Sequence, residues 1–355
     1  MKRRIGILTA GGDCPGLNAT IRGVAKAAYA LFDAEIVGIN GGFEGLIGGT
    51  YTEMSSRDFS GILTRGGTIL GTARTPYRNM RVIGDDRVDK VAQMKDNYKW
   101  LKLDCLVTLG GNGTHKTANL LAEEGLNVIG LPKTIDNDIW GTDVTFGFHT
   151  ACDIATDVID RIHTTADSHG RVMVIEIMGN KVGWLTLNSG VAGGADVILI
   201  PEIPYDINNV IKAVEARERA KKGFSIIAVA EGAVSKEEAS AKKKDKSNDD
   251  NPYRTVSHRI AEQIQEATGL ETRTVIPGHI QRGGSPSSFD RVLATAFGVH
   301  AAELIREEVY GVTVAMEGGK VIHNKLSDVA GRTKFVPTDH QLVITARDIG
   351  ISFGD

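Results

Sequence analysis

Short runs of four to seven mainly apolar residues recur along the chain, and the first three end in paired glycines. Residues 5–9 run towards Gly11-Gly12, 35–40 into Gly41-Gly42, and 105–109 into Gly110-Gly111. Further runs lie at 128–131, 171–177, 197–200 and 226–230. Such runs, continuous rather than alternating and bounded by turn residues, predict strands buried on both faces of a parallel sheet. Between them the apolar positions take helical spacing over 18–30, 88–99, 117–124, 207–222, 255–268 and 291–308. Strand and helix in alternation predict an α/β fold with doubly wound, mainly parallel sheets. Ligands are expected beyond the carboxyl ends of the strands.

One stretch breaks this pattern. Residues 235–251 (SKEEASAKKKDKSNDDN) are highly charged and aperiodic, which predicts a solvated surface loop or, because they follow Glu231 at a strand end, a flap over a site. Composition narrows the function classes. With 41 Lys and Arg against 44 Asp and Glu, the net charge of −3 lacks the basic footprint of a nucleic-acid or anionic-membrane binder. Three scattered cysteines, Cys14, Cys105 and Cys152, form neither a CxxC zinc pattern nor a disulfide framework, which favours a reducing, cytoplasmic setting. The apolar run behind Met1-Lys2-Arg3-Arg4 is too short for a signal peptide, and no run reaches the roughly 18–20 residues of a membrane helix.

Four clusters carry candidate chemistry. TAGGDCPGLN (9–18) runs from a strand through a Gly-Gly turn into a helix, which lets backbone N–H groups approach a phosphate. It is neither the dinucleotide fingerprint nor the P-loop. LGGNGTHK (109–116) repeats the arrangement, and between the two lie Arg65-Gly66-Gly67-Thr68 and Gly71-Thr72-Ala73-Arg74-Thr75-Pro76, where arginines beside glycines suit phosphoryl oxygens. GLPKTIDND (130–138) sets two carboxylates at i and i+2 on a strand tip, a spacing open to a general base with a second acidic helper, and equally to a plain Asx turn. HIQRGGSP (279–286), with Arg273 upstream, groups His and Arg for a sugar or phosphate ester; Arg171 and Met178-Gly179-Asn180 are further candidates.

In order and spacing, TAGGDCPGLNA, RGGT-x-LGTAR, GGNGT, PKTIDND, the MGN loop and PGHIQRGGSP resemble the 6-phosphofructokinase family from Lys2 to about Gly319. Lys133 and the charged insertion make the chain similar to the subgroup nearer the pyrophosphate-using enzymes. The resemblance implies two doubly wound Rossmann-like lobes: a donor lobe of residues 1–138 plus about 256–305, and a sugar-phosphate lobe of about 139–255 plus about 306–340. The implied reaction is phosphorylation of the 1-hydroxyl of fructose 6-phosphate by ATP with Mg2+, in glycolysis. Asp136 would be the general base, with Thr134 and Asp138 beside it, and Arg74 would stabilise the transferring group. Gly12, Arg74, Thr75, Gly111, Asn112, Gly113 and Thr114 would meet the donor. Thr134, Ile135, Asp136, Met178, Gly179, Asn180 and Glu231 would hold the sugar, and Arg171, Arg273, His279, Ile280, Gln281 and Arg282 its phosphate. Arg171 and Arg273 would reach from a neighbouring subunit, which requires a homodimer or homotetramer.

Two positions depart from the family pattern. Asn112 stands where the magnesium-binding Asp is expected, so metal would be held mainly through phosphates. Pyrophosphate-dependent members pair a Lys at position 133 with an Asp at position 113, where it would repel a nucleotide α-phosphate. Lys133 with Gly113 leaves that space open, so ATP is expected and pyrophosphate is the alternative donor. Asn112 also motivates a reading of another class, a non-catalytic nucleotide-binding regulatory subunit.

Overall fold

The computed structural model describes residues 2–83, 88–241 and 255–355. Most of the charged stretch at 235–251 lies outside these residues; its described start is a short helix, Lys236–Ser240, capped by Ser235 and Glu238 reciprocally. Among the described residues the strands are β1 (Arg3–Thr9), β2 (Ala34–Ile39), β3 (Tyr51–Met54), β4 (Cys105–Gly110), β5 (Val128–Pro132), β6 (Val172–Ile177), β7 (Val197–Leu199), β8 (Ser225–Ala230), β9 (Thr272–Val275), β10 (Val312–Glu317) and β11 (Lys320–Lys325). They form a seven-stranded sheet, β11-β10-β5-β4-β1-β2-β3, and a four-stranded sheet, β7-β8-β6-β9. All pairings are parallel except those of the edge strands β3 and β11. The expected α/β class with mainly parallel sheets is therefore present.

The chain divides into two compact units. Met1–Thr150 with Arg282–Lys334 makes the first, and Ala151–Gln281 with Phe335–Asp355 the second. These boundaries differ from the expected ones. Residues 256–281 join the second unit because β9 extends the four-stranded sheet at β6, while 306–334 stay in the first because β10 pairs with β5. Residues 139–150 also remain with the first unit. Long-range strand pairing decides these assignments, and the local apolar pattern carries no trace of it.

In the first unit, every residue of β4 and β5 is buried, as a strand covered on both faces requires. The helices Leu17–Leu31 and Ser288–Arg306 pack backbone against backbone at Gly23 and Gly298. A Cβ on Gly298 would lie 2.6 Å from the Thr20 carbonyl oxygen, so any side chain there would force the helices apart. Buried Asp290, in the first turn of Ser288–Arg306, accepts from the N–H groups of Gly147 (2.9 Å) and Thr150 (2.7 Å), pinning the start of the helix Phe148–His169. The second unit repeats the principle: β6 and β8 are wholly buried, and Val174, Val197, Leu199, Val229, Ile260 and Ile264 form its core. No helix among the described residues is long and apolar enough to cross a membrane.

Candidate active site

In the first sheet β1 lies between β4 and β2, so strands are added to its two sides from that point. Such a reversal opens a crevice beyond the carboxyl ends of β1 and β4, where both glycine turns lie. Beyond β1, Gly11 adopts φ +79°, a left-handed value that favours glycine. Its N–H donates to the Ala73 carbonyl (3.1 Å), and the Thr72 hydroxyl donates to the Gly11 carbonyl (2.7 Å). The loop carrying Arg74 is thereby laid along the turn. Asn18 holds the loop's earlier half, donating to the carbonyls of Arg65 (2.8 Å) and Gly67 (2.6 Å) and accepting from the Ile69 N–H (2.9 Å). Arg74 itself is exposed, and the buried Thr75 hydroxyl has no hydrogen-bond partner.

Two cations press on the same turn. The Lys133 ammonium, only 3% exposed, donates to the Gly12 carbonyl, and burial lowers its pKa below the usual lysine value. Arg282, expected with the sugar phosphate, rests against Gly12 and donates to the Asp13 carbonyl (3.2 Å). A Cβ on Gly12 would stand 2.8 Å from that guanidinium, so a side chain there would displace the Arg282 tip from the turn.

Beyond β4 the helix Asn112–Glu123 begins with Gly111 at its cap and Gly113 and Thr114 in its first turn, presenting N–H groups and a positive dipole end. Around Gly113 the space is open: a Cβ there would meet nothing within 4 Å. His115 anchors the turn from below. Its Nδ1 lies 3.0 Å from the Gly111 carbonyl and its Nε2 2.9 Å from the Thr313 hydroxyl, and burial pushes its pKa down to about 4. The ring is thus neutral, with Nδ1–H donating to the carbonyl and Nε2 accepting the hydroxyl proton.

The carboxylate pair follows β5. Thr134, Ile135, Asp136 and Asn137 are all buried, and the Asp136 N–H donates to the Thr134 hydroxyl (3.0 Å). Asn137, between the two acids, has φ +52°. Asp138 faces Asn112 across 3.4 Å, and burial raises its carboxyl above the usual range. The Asn112 Oδ1 and Asp138 Oδ1 atoms are buried and have no hydrogen-bond partner. A neutral amide oxygen and a carboxylate oxygen are hard ligands suited to Mg2+ that takes its remaining oxygens from phosphates and water. Among the described residues there is no group of three or more His, Cys, Asp or Glu placed to hold a metal ion.

In the second unit, Met178-Gly179-Asn180 follow β6 and Glu231 follows β8, on neighbouring strands. Glu231 accepts from the N–H groups of Gly179 (3.2 Å) and Asn180 (2.6 Å), and Gln281, fully buried, accepts from the Met178 N–H (3.2 Å). His279 and the exposed Ile280 lie on the short helix Gly278–Arg282. Arg171 and Arg273 lie elsewhere. They flank the amino-terminal edge of the same sheet, where Val172 pairs with Thr272, and both reach the Glu271 carboxylate, Arg171 at 3.0 Å. From residue 171 to residue 178 is roughly 20 Å at strand rise. One chain's second unit therefore holds its sugar-loop candidates and its arginine pair at opposite ends of a sheet.

Two contributors escaped the sequence reading. Lys334, whose pKa burial lowers to about 8, contacts the turn after Asp136, and no motif flags a lysine that far downstream. Glu271, which no motif singles out, holds Arg171 and Arg273 together, and no local spacing brings residue 171 to residue 271.

Residues 4–305 match the model of the family described as Phosphofructokinase. Over 99% of its length the chain is 56% identical to an ATP-dependent 6-phosphofructokinase of Spirochaeta thermophila, covering 98% of that protein. It is 49% identical to ATP-dependent 6-phosphofructokinase 3 of Bacteroides thetaiotaomicron, with 99% of this chain and 100% of that one covered. Among solved structures, Pichia pastoris phosphofructokinase in the T-state aligns with a TM-score of 0.82 at 32% identity over 93% of this chain, which spans about a third (35%) of the Pichia chain. A pyrophosphate-dependent phosphofructokinase from Nitrosospira multiformis shares the fold, with a TM-score of 0.81 at 21% identity, covering 99% of this chain and 93% of that one.

Proposed function

The chain belongs to the phosphofructokinase family, and from that premise we propose that it transfers the γ-phosphoryl group of ATP to the 1-hydroxyl of fructose 6-phosphate, giving fructose 1,6-bisphosphate and ADP in glycolysis. Asp136 takes the hydroxyl proton as that oxygen attacks phosphorus, and Thr134 fixes the backbone on which the carboxylate stands. Arg74, exposed on a loop strapped to the donor turn, neutralises charge that builds on the transferring oxygens. Gly11, Gly12 and the helix start at Asn112–Thr114 receive the donor phosphates. Asn112 and Asp138 would hold Mg2+, which supplies positive charge beside the donor phosphates.

The open face of Gly113 is the observation that carries the choice of ATP, because it leaves room where an acidic side chain would repel a nucleotide's α-phosphate. Lys133 argues less for pyrophosphate than its identity suggests, since its ammonium is already engaged by the Gly12 carbonyl. Met178, Gly179, Asn180 and Glu231 hold the sugar, while Arg171 and Arg273, a strand length away, serve the sugar phosphate of a neighbouring copy. That division supports a homodimer or homotetramer with shared sites. The test is the initial rate of fructose 6-phosphate phosphorylation with Mg2+, ATP against pyrophosphate. ATP should win by well over tenfold. Faster turnover with pyrophosphate would overturn the donor assignment, and no turnover with either would overturn the enzymatic reading.

A further inference from the structure

The turn that follows the proposed base is braced from outside as well as by its own residues. Asn137 sits at φ +52°, a left-handed value that asparagine adopts more readily than most side chains and that still costs energy relative to glycine. The holding group comes from almost two hundred residues downstream and from beyond the segment that matches the family model. The Lys334 ammonium donates to Asn137 Oδ1 (2.9 Å), to the Thr142 carbonyl (2.8 Å) and to the Asp143 carbonyl (2.9 Å). Three acceptors match the three protons of an ammonium group. The backbone adds to the clamp: the Lys334 N–H donates to the Asp138 carbonyl (2.9 Å), and Thr333 bridges antiparallel to Ile139. Asn137 completes the loop by accepting from the Thr145 N–H (3.2 Å) and donating to the Asp143 carbonyl (3.3 Å).

From this geometry we infer that Lys334 is a positioning residue for phosphoryl transfer, fixing the turn 137–143 so that the Asp136 and Asp138 carboxylates keep their orientation. The inference rests on the reading of Asp136 as the base. A charged donor is needed because it gathers one side-chain oxygen and two carbonyl oxygens from separate points of the turn. An uncharged side chain of similar length cannot supply three protons at once, so at least one of these contacts is lost and the αL residue keeps only its bonds to Thr145 and Asp143. The Lys334 hydrogen bonds described above all go to residues 137–143, so the clamp bears on the donor only through Asp138 at the Mg2+ position, and KM for ATP should change less than kcat.

The test compares wild type, Lys334→Met and Lys334→Gln for kcat, for KM of ATP and fructose 6-phosphate, and for melting temperature. Both variants should lose at least about tenfold in kcat while KM for ATP stays within about threefold. Asn137→Gly, which accepts the left-handed turn without help, should recover part of the loss when added to Lys334→Met, and this rescue separates positioning from bulk stability. A variant that is folded and turns over within twofold of wild type overturns the inference. So does loss of folding in both variants, or a drop in melting temperature with unchanged kcat per folded molecule, since either makes Lys334 a structural residue only. If wild type itself fails to phosphorylate fructose 6-phosphate, the underlying reading of Asp136 fails instead.

Discussion

Acidification should loosen the donor helix through a single imidazole. His115 lies in the first turn of Asn112–Glu123, fully enclosed, and burial holds its pKa at about 4 against an ordinary value of 6.5. Unfolding releases it to water, where it takes up a proton near pH 6.5. Because the folded value lies below the unfolded one, the stability contributed by the neutral ring is complete above about pH 6.5 and drains away as pH falls towards 4. Working the linkage between pH 7 and pH 5 with these two values gives a loss of about 2 kcal/mol, or roughly twentyfold in the opening equilibrium. A two-unit chain need not unfold in one step, so the measurement should be local. Hydrogen exchange of peptides covering 112–123, corrected for the intrinsic pH dependence of exchange, reports the opening free energy in wild type and in His115→Gln. The variant should lose less between pH 7 and pH 5, with the difference near 2 kcal/mol. Raised carboxyls such as Asp138 titrate in both proteins and cancel in that comparison. Equal pH dependence in the two would refute the reasoning, because the ring would then take up its proton while folded.

Asp136→Asn keeps the shape of the carboxyl and removes its basicity. It should lower kcat by about 10²–10⁴ with little change in KM for ATP, and a steady-state loss below tenfold would remove Asp136 as the base. Gly113→Asp places a carboxylate in open space at a helix start, where it folds without a clash. It should cut kcat/KM for ATP at least about tenfold by repulsion of the nucleotide phosphates. An unchanged value would mean that Gly113 is not the selector.

The strands that were legible in the sequence are those buried on both faces, because burial writes itself as an unbroken apolar run. Residues 105–109 and 226–230 read as strands and became β4 and β8. The strand β11, KVIHNK, is an antiparallel edge with no buried residue and only two apolar positions, Val321 and Ile322, and left no such run. Helices were missed for two opposite reasons. Trp184–Ala192 buries most of its circumference and so lacks an amphipathic period, while Phe148–His169 is rich in Thr, Asp and Ile, poor helix formers whose helicity comes from packing. At the site, the glycine turns and the acidic pair were readable because close backbone approach restricts which residues can serve. The placement of Arg282 against Gly12 and the grip of Lys334 on Asn137 were not, since both join positions roughly 200 residues or more apart in the chain.

The interleaved order of the two units has a consequence for how the protein is made. Residues 1–150 emerge from the ribosome with β1 to β5 complete, yet their sheet lacks β10 and β11, and the helix Leu17–Leu31 lacks its packing partner Ser288–Arg306. At about 5–20 residues per second, the interval before residue 334 is synthesised is roughly 10–40 s. For that time the edge of β5 is an unpaired template and one face of Leu17–Leu31 stays bare. The chain therefore cannot mature vectorially, one finished domain after another. Its amino-terminal half waits, partly assembled, for strands encoded near its other end.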